Sequence, residues 1–262
     1  MAPVDEYDGF LVDLDGVVWV GRELVPGAVA TLTALIESGK PVVFVTNNPG
    51  RPPAVYAERL REAGVPATEE RIVTAGMATV AIAADEAGCG ATAFVIGAEA
   101  FKSMAAEAGL ETLEGEAARA AEAVLVSGHR GFDYEELLTA TLALQGGAKL
   151  FATSRDPTLP MPGGAWPGTG AILAAIETAT EASATIGGKP ERHLFDLARE
   201  RLGPARRVAM VGDRIASDID GGRRAGLDTV LVLTGAGTRE QAAAAERPPD
   251  HVIEDLTGLL SG

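Results

Sequence analysis

The sequence predicts an α/β fold: an open, parallel sheet flanked by helices, interrupted by a second, inserted domain of the same class. Short apolar runs bounded by Gly, Pro or polar turns alternate with longer amphipathic stretches, which is the pattern of strand, helix, strand. Polar residues cluster where the apolar runs end. A block of about 100 residues in the middle repeats the alternation with strands of its own, which is enough chain for an independent core.

The first expected strand, residues 10–14, is apolar at Phe10, Leu11, Val12 and Leu14 and so reads as buried on both faces. Further strands are expected at 42–46, 208–211 and 229–233, with helices at 28–37, 53–63, 191–201 and 217–225 between or after them. The middle block carries expected strands at 92–96, 123–126 and 150–153 and helices at 99–107 and 134–144. On this reading residues 1–80 and 184–262 form the core domain and 81–183 the insertion. The alanine-rich stretch 117–123 reads as a surface helix or loop.

The 262 residues are 47% hydrophobic, ample for a sizeable core, and carry a formal net charge of −15. That charge argues against a nucleic-acid partner and against acidic membrane surfaces, since no basic stripe is available to meet phosphates. No apolar run approaches the roughly 18–20 residues of a membrane span. The single cysteine, Cys89, cannot form an intramolecular disulfide, and the start MAPVDEYDGF has no secretory pattern, so a cytoplasmic location is expected.

Four polar clusters stand where apolar strands end, and in an open parallel sheet such ends converge on one crevice. In the first, FLVDLDG, the carboxylates Asp13 and Asp15 leave the strand at Gly16 and diverge around a small site. Two close carboxylates repel unless a cation separates them, and magnesium suits oxygen ligands that share a phosphate. The second, VVFVTNNPG, ends in Thr46, Asn47 and Asn48, whose hydroxyl, amides and backbone N–H groups make a cradle for an oxyanion or phosphate. The third, TIGGKP, holds Lys189 on a glycine turn with Pro190 expected at the first position of a helix. In the fourth, VAMVGDRIASD, Asp213 stands where a metal ligand would, and Ser217 or Asp218 falls near a helix N-terminus. Each cluster alone is commonly a turn; four in order, each closing a strand, are not.

These motifs resemble those of the haloacid dehalogenase-like hydrolase superfamily, and within it the NagD-like, p-nitrophenyl-phosphatase-like phosphatases. DLDGV is similar to the first motif, TNN to the second, GGKP to the third and GDRIASD to the fourth, while FATSRDPTLP with PGTGAI resembles the return from cap to core. The resemblance covers essentially the whole chain and implies a Rossmann-like core with an inserted α/β cap. It implies a magnesium-dependent phosphatase in which Asp13 attacks phosphorus to give an aspartyl-phosphate and Asp15 serves as acid and then base. It further implies that Mg2+ is held by Asp13, the Asp15 backbone carbonyl and Asp213, that Thr46, Asn47 and Lys189 bind phosphate, and that Asp218 orients the metal site. The segment VVWVGRELVPG reads as a hairpin turning at Gly21 and Arg22, a flap in this superfamily, with Trp19 as packing.

The sequence departs from the family pattern at Ser217, where Thr is usual, at Arg155, where SRDP replaces Asn-Pro-Asp, and at His129, where Asp is common. His129, Arg130, Arg155 and Trp166 are the cap side chains that could meet a leaving group. The expected partner is a small phosphorylated metabolite: a sugar phosphate, glycerol phosphate, phosphoglycolate, pyridoxal phosphate or a nucleotide monophosphate. A homodimer is left open, since caps of this family often take part in dimer contacts. The rival readings are a phosphoacceptor module without turnover, against which Asp15 and the cap both speak, and a dehalogenase, which would need neither metal nor Asp15. His129, His193 and His251 show no zinc spacing.

Overall fold

The computed structural model describes residues 2–88, 90–161 and 164–261; Cys89 lies outside them. The described chain forms two compact units, one of residues 2–46, 53–73 and 189–261, the other of 47–52 and 74–188. No helix among the described residues is long and apolar enough to cross a membrane.

The first unit is built on a six-stranded sheet in the spatial order Ile72–Thr74, Val42–Thr46, Gly9–Asp13, Val208–Gly212, Asp228–Val232 and His251–Ile253. Counted along the chain this is 3-2-1-4-5-6, the doubly wound order whose switch point lies between strands 1 and 4. Those two strands pair in parallel, Val12 opposite Val211, and both are buried along their full length. Parallel strands need crossovers, and helices such as Ala28–Glu37 supply them, burying Ala28, Thr31, Leu32 and Leu35 on one face. Phe10, Val12, Phe44, Val211 and Val230 join Trp19 and Leu32 in one continuous core.

The predicted flap forms: Trp19–Val20 pairs antiparallel with Glu23–Leu24 around Gly21 and Arg22. Gly21 has φ +61, which a two-residue hairpin turn requires and which only glycine adopts without strain. Two elements of this unit differ from expectation. The helix expected at 217–225 is a π-helical turn, Ile215–Asp220, followed by a short α-helix, Gly221–Arg224. Pro190 does not open a helix: it follows Lys189 through a cis peptide, Glu191 is the N-cap, and the helix is Arg192–Leu202.

The second unit has its own sheet, in the order Thr185–Ile186, Lys149–Ala152, Ala123–Val126, Thr92–Ile96 and Glu111–Thr112, all parallel. Its long segment begins at Thr74 because the helix Ala75–Ala87, capped by the Thr74 hydroxyl, packs Val80 and Ala83 against Phe151 and Ala93 of that sheet. Asp133 caps Tyr134–Gln145 in the same way. The alanine-rich stretch forms a 3-10 helix, Gly115–Ala120, and leads into the next strand: Ala117 and Ala120 face solvent as expected of a surface helix, while Ala118, Ala121 and Ala123 are buried, their methyl groups letting the segment pack closely.

Candidate active site

The carboxyl ends of the two switch-point strands bring together charged residues that are distant in sequence. Among the described residues the buried charged side chains are Asp13, Lys189, Asp213 and Asp218, three acidic and one basic. Lys189 Nζ lies 2.8 Å from Asp13 Oδ1 and 2.6 Å from Asp218 Oδ1. Its ammonium is therefore shared, and both carboxylates hold its pKa above the ordinary value against the opposing pull of burial. Asp218 Oδ2 accepts the Arg214 backbone N–H at 2.9 Å, so both of its oxygens are engaged and it acts as a fixed anchor for the lysine. The π-helical turn places Asp218 there.

Asp13 is pushed up to about 8, first by burial, then by the neighbouring Asp218 and Asp213, with Lys189 pulling the other way. Burial likewise raises the Asp213 carboxyl, offset in part by the Ala236 N–H. Asp213 Oδ2 accepts that N–H at 2.7 Å, while its Oδ1 is buried with no hydrogen-bond partner. Ligand oxygens of Asp13, Asp213 and Asp218 all lie within 4.8 Å of one another. An orphaned carboxylate oxygen facing surplus negative charge is what a hard divalent cation satisfies, so the donor set fits magnesium. Asp13 and Asp213 are the side chains that would hold it, since Asp218 is committed to Lys189.

Two glycines make room for Asp213. Gly16 has φ +89, and a Cβ on it or on Gly235 would fall against the Asp213 carboxylate. The segment Thr234 to Gly237, after the strand Asp228–Val232, was missed by the sequence reading although it too is a polar, glycine-rich strand end. Beyond the Ala236 contact, Thr234 Oγ1 donates to the Gly16 carbonyl at 2.6 Å, tying that segment to the turn after Asp13.

Asp15 is exposed beside this cluster, and its Oδ1 accepts the Trp19 indole N–H at 3.0 Å. Thr46 is buried at the end of the strand paired with that of Asp13, where Asp13 stands opposite Val45. Asn47 falls in the second unit, where Asn48 Oδ1 accepts the Gly50 N–H at 3.0 Å in a local turn. In that unit Gly187 packs on Thr79 and Gly188 on the Thr153 carbonyl so closely that neither tolerates a Cβ, which explains both glycines preceding Lys189.

The predicted cap residues all lie in the second unit. His129 Nδ1 accepts the Gly131 N–H at 3.3 Å and Nε2 lies 2.9 Å from Glu136 Oε2, an arrangement that puts the imidazole proton on Nε2. Arg130 lies 4.3 Å over the Trp166 ring, both side chains being exposed. Arg155 makes two 2.9 Å bonds to the Glu177 carboxylate, which tie the segment after the strand Lys149–Ala152 to the helix Thr169–Thr180.

Comparison with known proteins agrees with this fold. A model described as haloacid dehalogenase-like hydrolase matches residues 10–111, and one described as HAD-hydrolase-like matches 186–259. The chain is 36% identical to the 5'-nucleotidase YutF of Bacillus subtilis over 252 residues, 96% of each chain. A glycerol phosphate phosphatase from Mycobacterium tuberculosis, solved in complex with magnesium, superposes with a TM-score of 0.91 at 35% identity, covering 99% of this chain and 78% of that one. The p-nitrophenyl phosphatase from Archaeoglobus fulgidus gives a TM-score of 0.88 at 32% identity over 97% of this chain and 98% of that one. A doubly wound core carrying a buried aspartate and lysine cluster at its switch point defines a hydrolase of the phosphate-transferring α/β class. The chain belongs to the haloacid dehalogenase-like hydrolase family, in its NagD-like, p-nitrophenyl-phosphatase-like branch.

Proposed function

We propose that this chain is a magnesium-dependent phosphatase that hydrolyses a small phosphorylated metabolite through an aspartyl-phosphate on Asp13. The observation that supports it is the buried charge imbalance at the switch point: three carboxylates, one ammonium and an unpartnered Asp213 oxygen. A purely structural cluster of that kind would cost several kcal/mol per unbalanced ion. A site that receives a divalent cation and a phosphate uses the same charges.

In this reading Asp13 is the nucleophile. Its carboxylate oxygen bonds to phosphorus as the ester oxygen leaves, and Asp15 protonates that oxygen so that an alcohol departs. Asp15, now a base, takes a proton from water; the water oxygen bonds to phosphorus and the Asp13–phosphorus bond breaks, releasing phosphate. Lys189, anchored by Asp218, stays charged throughout and meets the phosphoryl oxygens together with the Thr46 hydroxyl and the Asn47 backbone. Asp13, Asp213 and the Asp15 carbonyl would hold magnesium, which would supply positive charge to offset negative charge on the transferring phosphoryl group.

The second unit serves as the cap that meets the leaving group, with Arg130, Trp166 and His129 as its recognition side chains and Arg155 as an internal brace. Glycerol phosphate, a sugar phosphate and a nucleotide monophosphate head the candidate substrates, with phosphoglycolate and pyridoxal phosphate behind them. A cytoplasmic location is in keeping with the lone cysteine. The test is phosphate release from this panel with and without magnesium, for the native chain and for Asp13→Asn. Release that requires both is expected. Release that survives Asp13→Asn would refute the nucleophile, and release indifferent to magnesium would refute the metal.

A further inference from the structure

The turn between the first strand and the flap folds back on itself. The Leu14 carbonyl accepts the N–H groups of Val18 at 2.9 Å and Trp19 at 3.2 Å, and the Gly16 N–H donates to the Trp19 carbonyl at 2.7 Å. This winding returns the Trp19 side chain to Asp15, four residues back, and sets the indole N–H on Asp15 Oδ1. Trp19 is wholly buried although Asp15 is exposed, and the Arg59 guanidinium lies 3.8 Å over its ring. Arg59, on the helix Pro53–Glu62, also donates to the Gly21 carbonyl at 2.8 Å, so one side chain clamps both the indole and the flap turn. An exposed carboxylate ordinarily samples several rotamers; this one has a buried, immobilised donor on one oxygen.

We propose that Trp19 is the positioning residue of the acid/base: it holds Asp15 Oδ1 as a permanent acceptor and so assigns proton transfer to Oδ2. An indole N–H only donates, so the oxygen it touches is the poorer place for the carboxyl proton, and the proton sits on the other. In the first step the Oδ2 proton passes to the ester oxygen as its bond to phosphorus breaks and the bond from Asp13 forms. In the second, Oδ2 takes a proton from the water that displaces Asp13. The inference rests on the phosphatase reading above. The bland alternative is that a buried indole needs some acceptor and Asp15 happens to supply it.

The two are separated by leaving-group dependence. Protonation matters for an alkyl leaving group and hardly at all for p-nitrophenolate, while kcat/KM reports only steps through departure of the first product. For Trp19→Phe, kcat/KM is expected to fall about 10-fold on glycerol phosphate and less than about 2-fold on p-nitrophenyl phosphate, a fraction of the roughly 10²- to 10⁴-fold that general acid catalysis supplies. Adding Asp15→Asn to Trp19→Phe is expected to cost no more than Asp15→Asn alone. Equal losses on both substrates, or additive losses in the double variant, would overturn the proposal. Should Trp19→Phe not fold, the native Trp19 indole can be read directly by ¹⁵N NMR, assigned with Trp166→Phe: Asp15→Ala should shift its Nε1–H signal and speed its hydrogen exchange, and an unmoved signal would overturn the proposal. Asp13→Asn run alongside keeps the outcomes apart, because activity surviving it defeats the phosphatase reading itself, whatever Trp19→Phe does.

Discussion

The two units are parallel α/β sheets of similar size, yet their strands end differently. In the first, the central strands run into Asp13, Thr46 and Asp213, and the buried polar residues near them include an ammonium and three carboxylates. In the second, the central strands run into Gly97, Ser127 and Thr153, and the buried polar residues are hydroxyls. Those hydroxyls satisfy one another: Thr153 Oγ1 lies 3.3 Å from Thr169 Oγ1, which accepts the Gly128 N–H at 2.9 Å. The same architecture thus ends in buried charge in one copy and in paired hydroxyls in the other. What separates them is whether the strand ends leave charge uncompensated.

The comparison breaks most sharply at Lys189. Lys189→Met should abolish turnover and cost on the order of 3–5 kcal/mol, the usual penalty for stranding buried partners of a lost ion. Combining it with Asp218→Asn should recover much of the stability and none of the activity. Paired denaturation and phosphate-release curves decide it, and a double variant as unstable as the single one would show that the charges are not the cause.

A second expected effect concerns pH. The folded-state pKa of Asp13, about 8, lies above its ordinary 3.8, so the folded form binds that proton more tightly. Without metal, the stability this contributes is fully present below 3.8 and is lost as pH rises towards 8, a decline on the order of a few kcal/mol. Asp13→Asn should flatten that limb. Magnesium should restore stability to the native chain at neutral pH by about 2.7 kcal/mol at a hundredfold excess over its Kd. Calorimetric melts from pH 4 to 9, with and without magnesium, test both, and a metal-free melt independent of pH would contradict the buried carboxylate's role.

The smallest effect belongs to the second unit. Thr153→Val removes one member of a neutral hydroxyl pair, with an expected cost of about 1–2 kcal/mol and well under a tenfold change in kcat/KM. A loss of activity as deep as that of Lys189→Met would erase the distinction between the two sheets.

How much of this was legible in the sequence follows from local physics. The strands Val42–Thr46, Thr92–Ile96 and Ala123–Val126 were read with their observed bounds, because unbroken apolar, mostly β-branched runs closed by polar residues have few other uses. Asp13, Lys189, Asp213 and Asp218 were legible as strand-end polar residues, although that one lysine is shared by two aspartates is a matter of three-dimensional reach. The helix Ala75–Ala87 was missed: its alanines, glycine and small residues are apolar nearly all round, so no period stands out, and no glycine or proline separates it from the strand Ile72–Thr74. Edge strands such as His251–Ile253 and Thr185–Ile186 are too short to show alternation. Trp19 was read as packing, which its burial bears out, but the acceptor of its indole N–H depends on how residues 14–19 wind.

The strand order has a genetic corollary. After its third strand the core chain stands at the sheet edge and must travel back across to the fourth, beside the first, so the connection is long in any protein with this order. Closing a longer loop adds only about 0.6 kcal/mol for each doubling of its length. Residues 74–188 occupy that one crossover, where added chain shifts no strand register in the core. Reading frame and sheet therefore impose almost no toll on exchanging the passenger, and a lineage can trade one inserted domain for another while the aspartates and the lysine are inherited untouched.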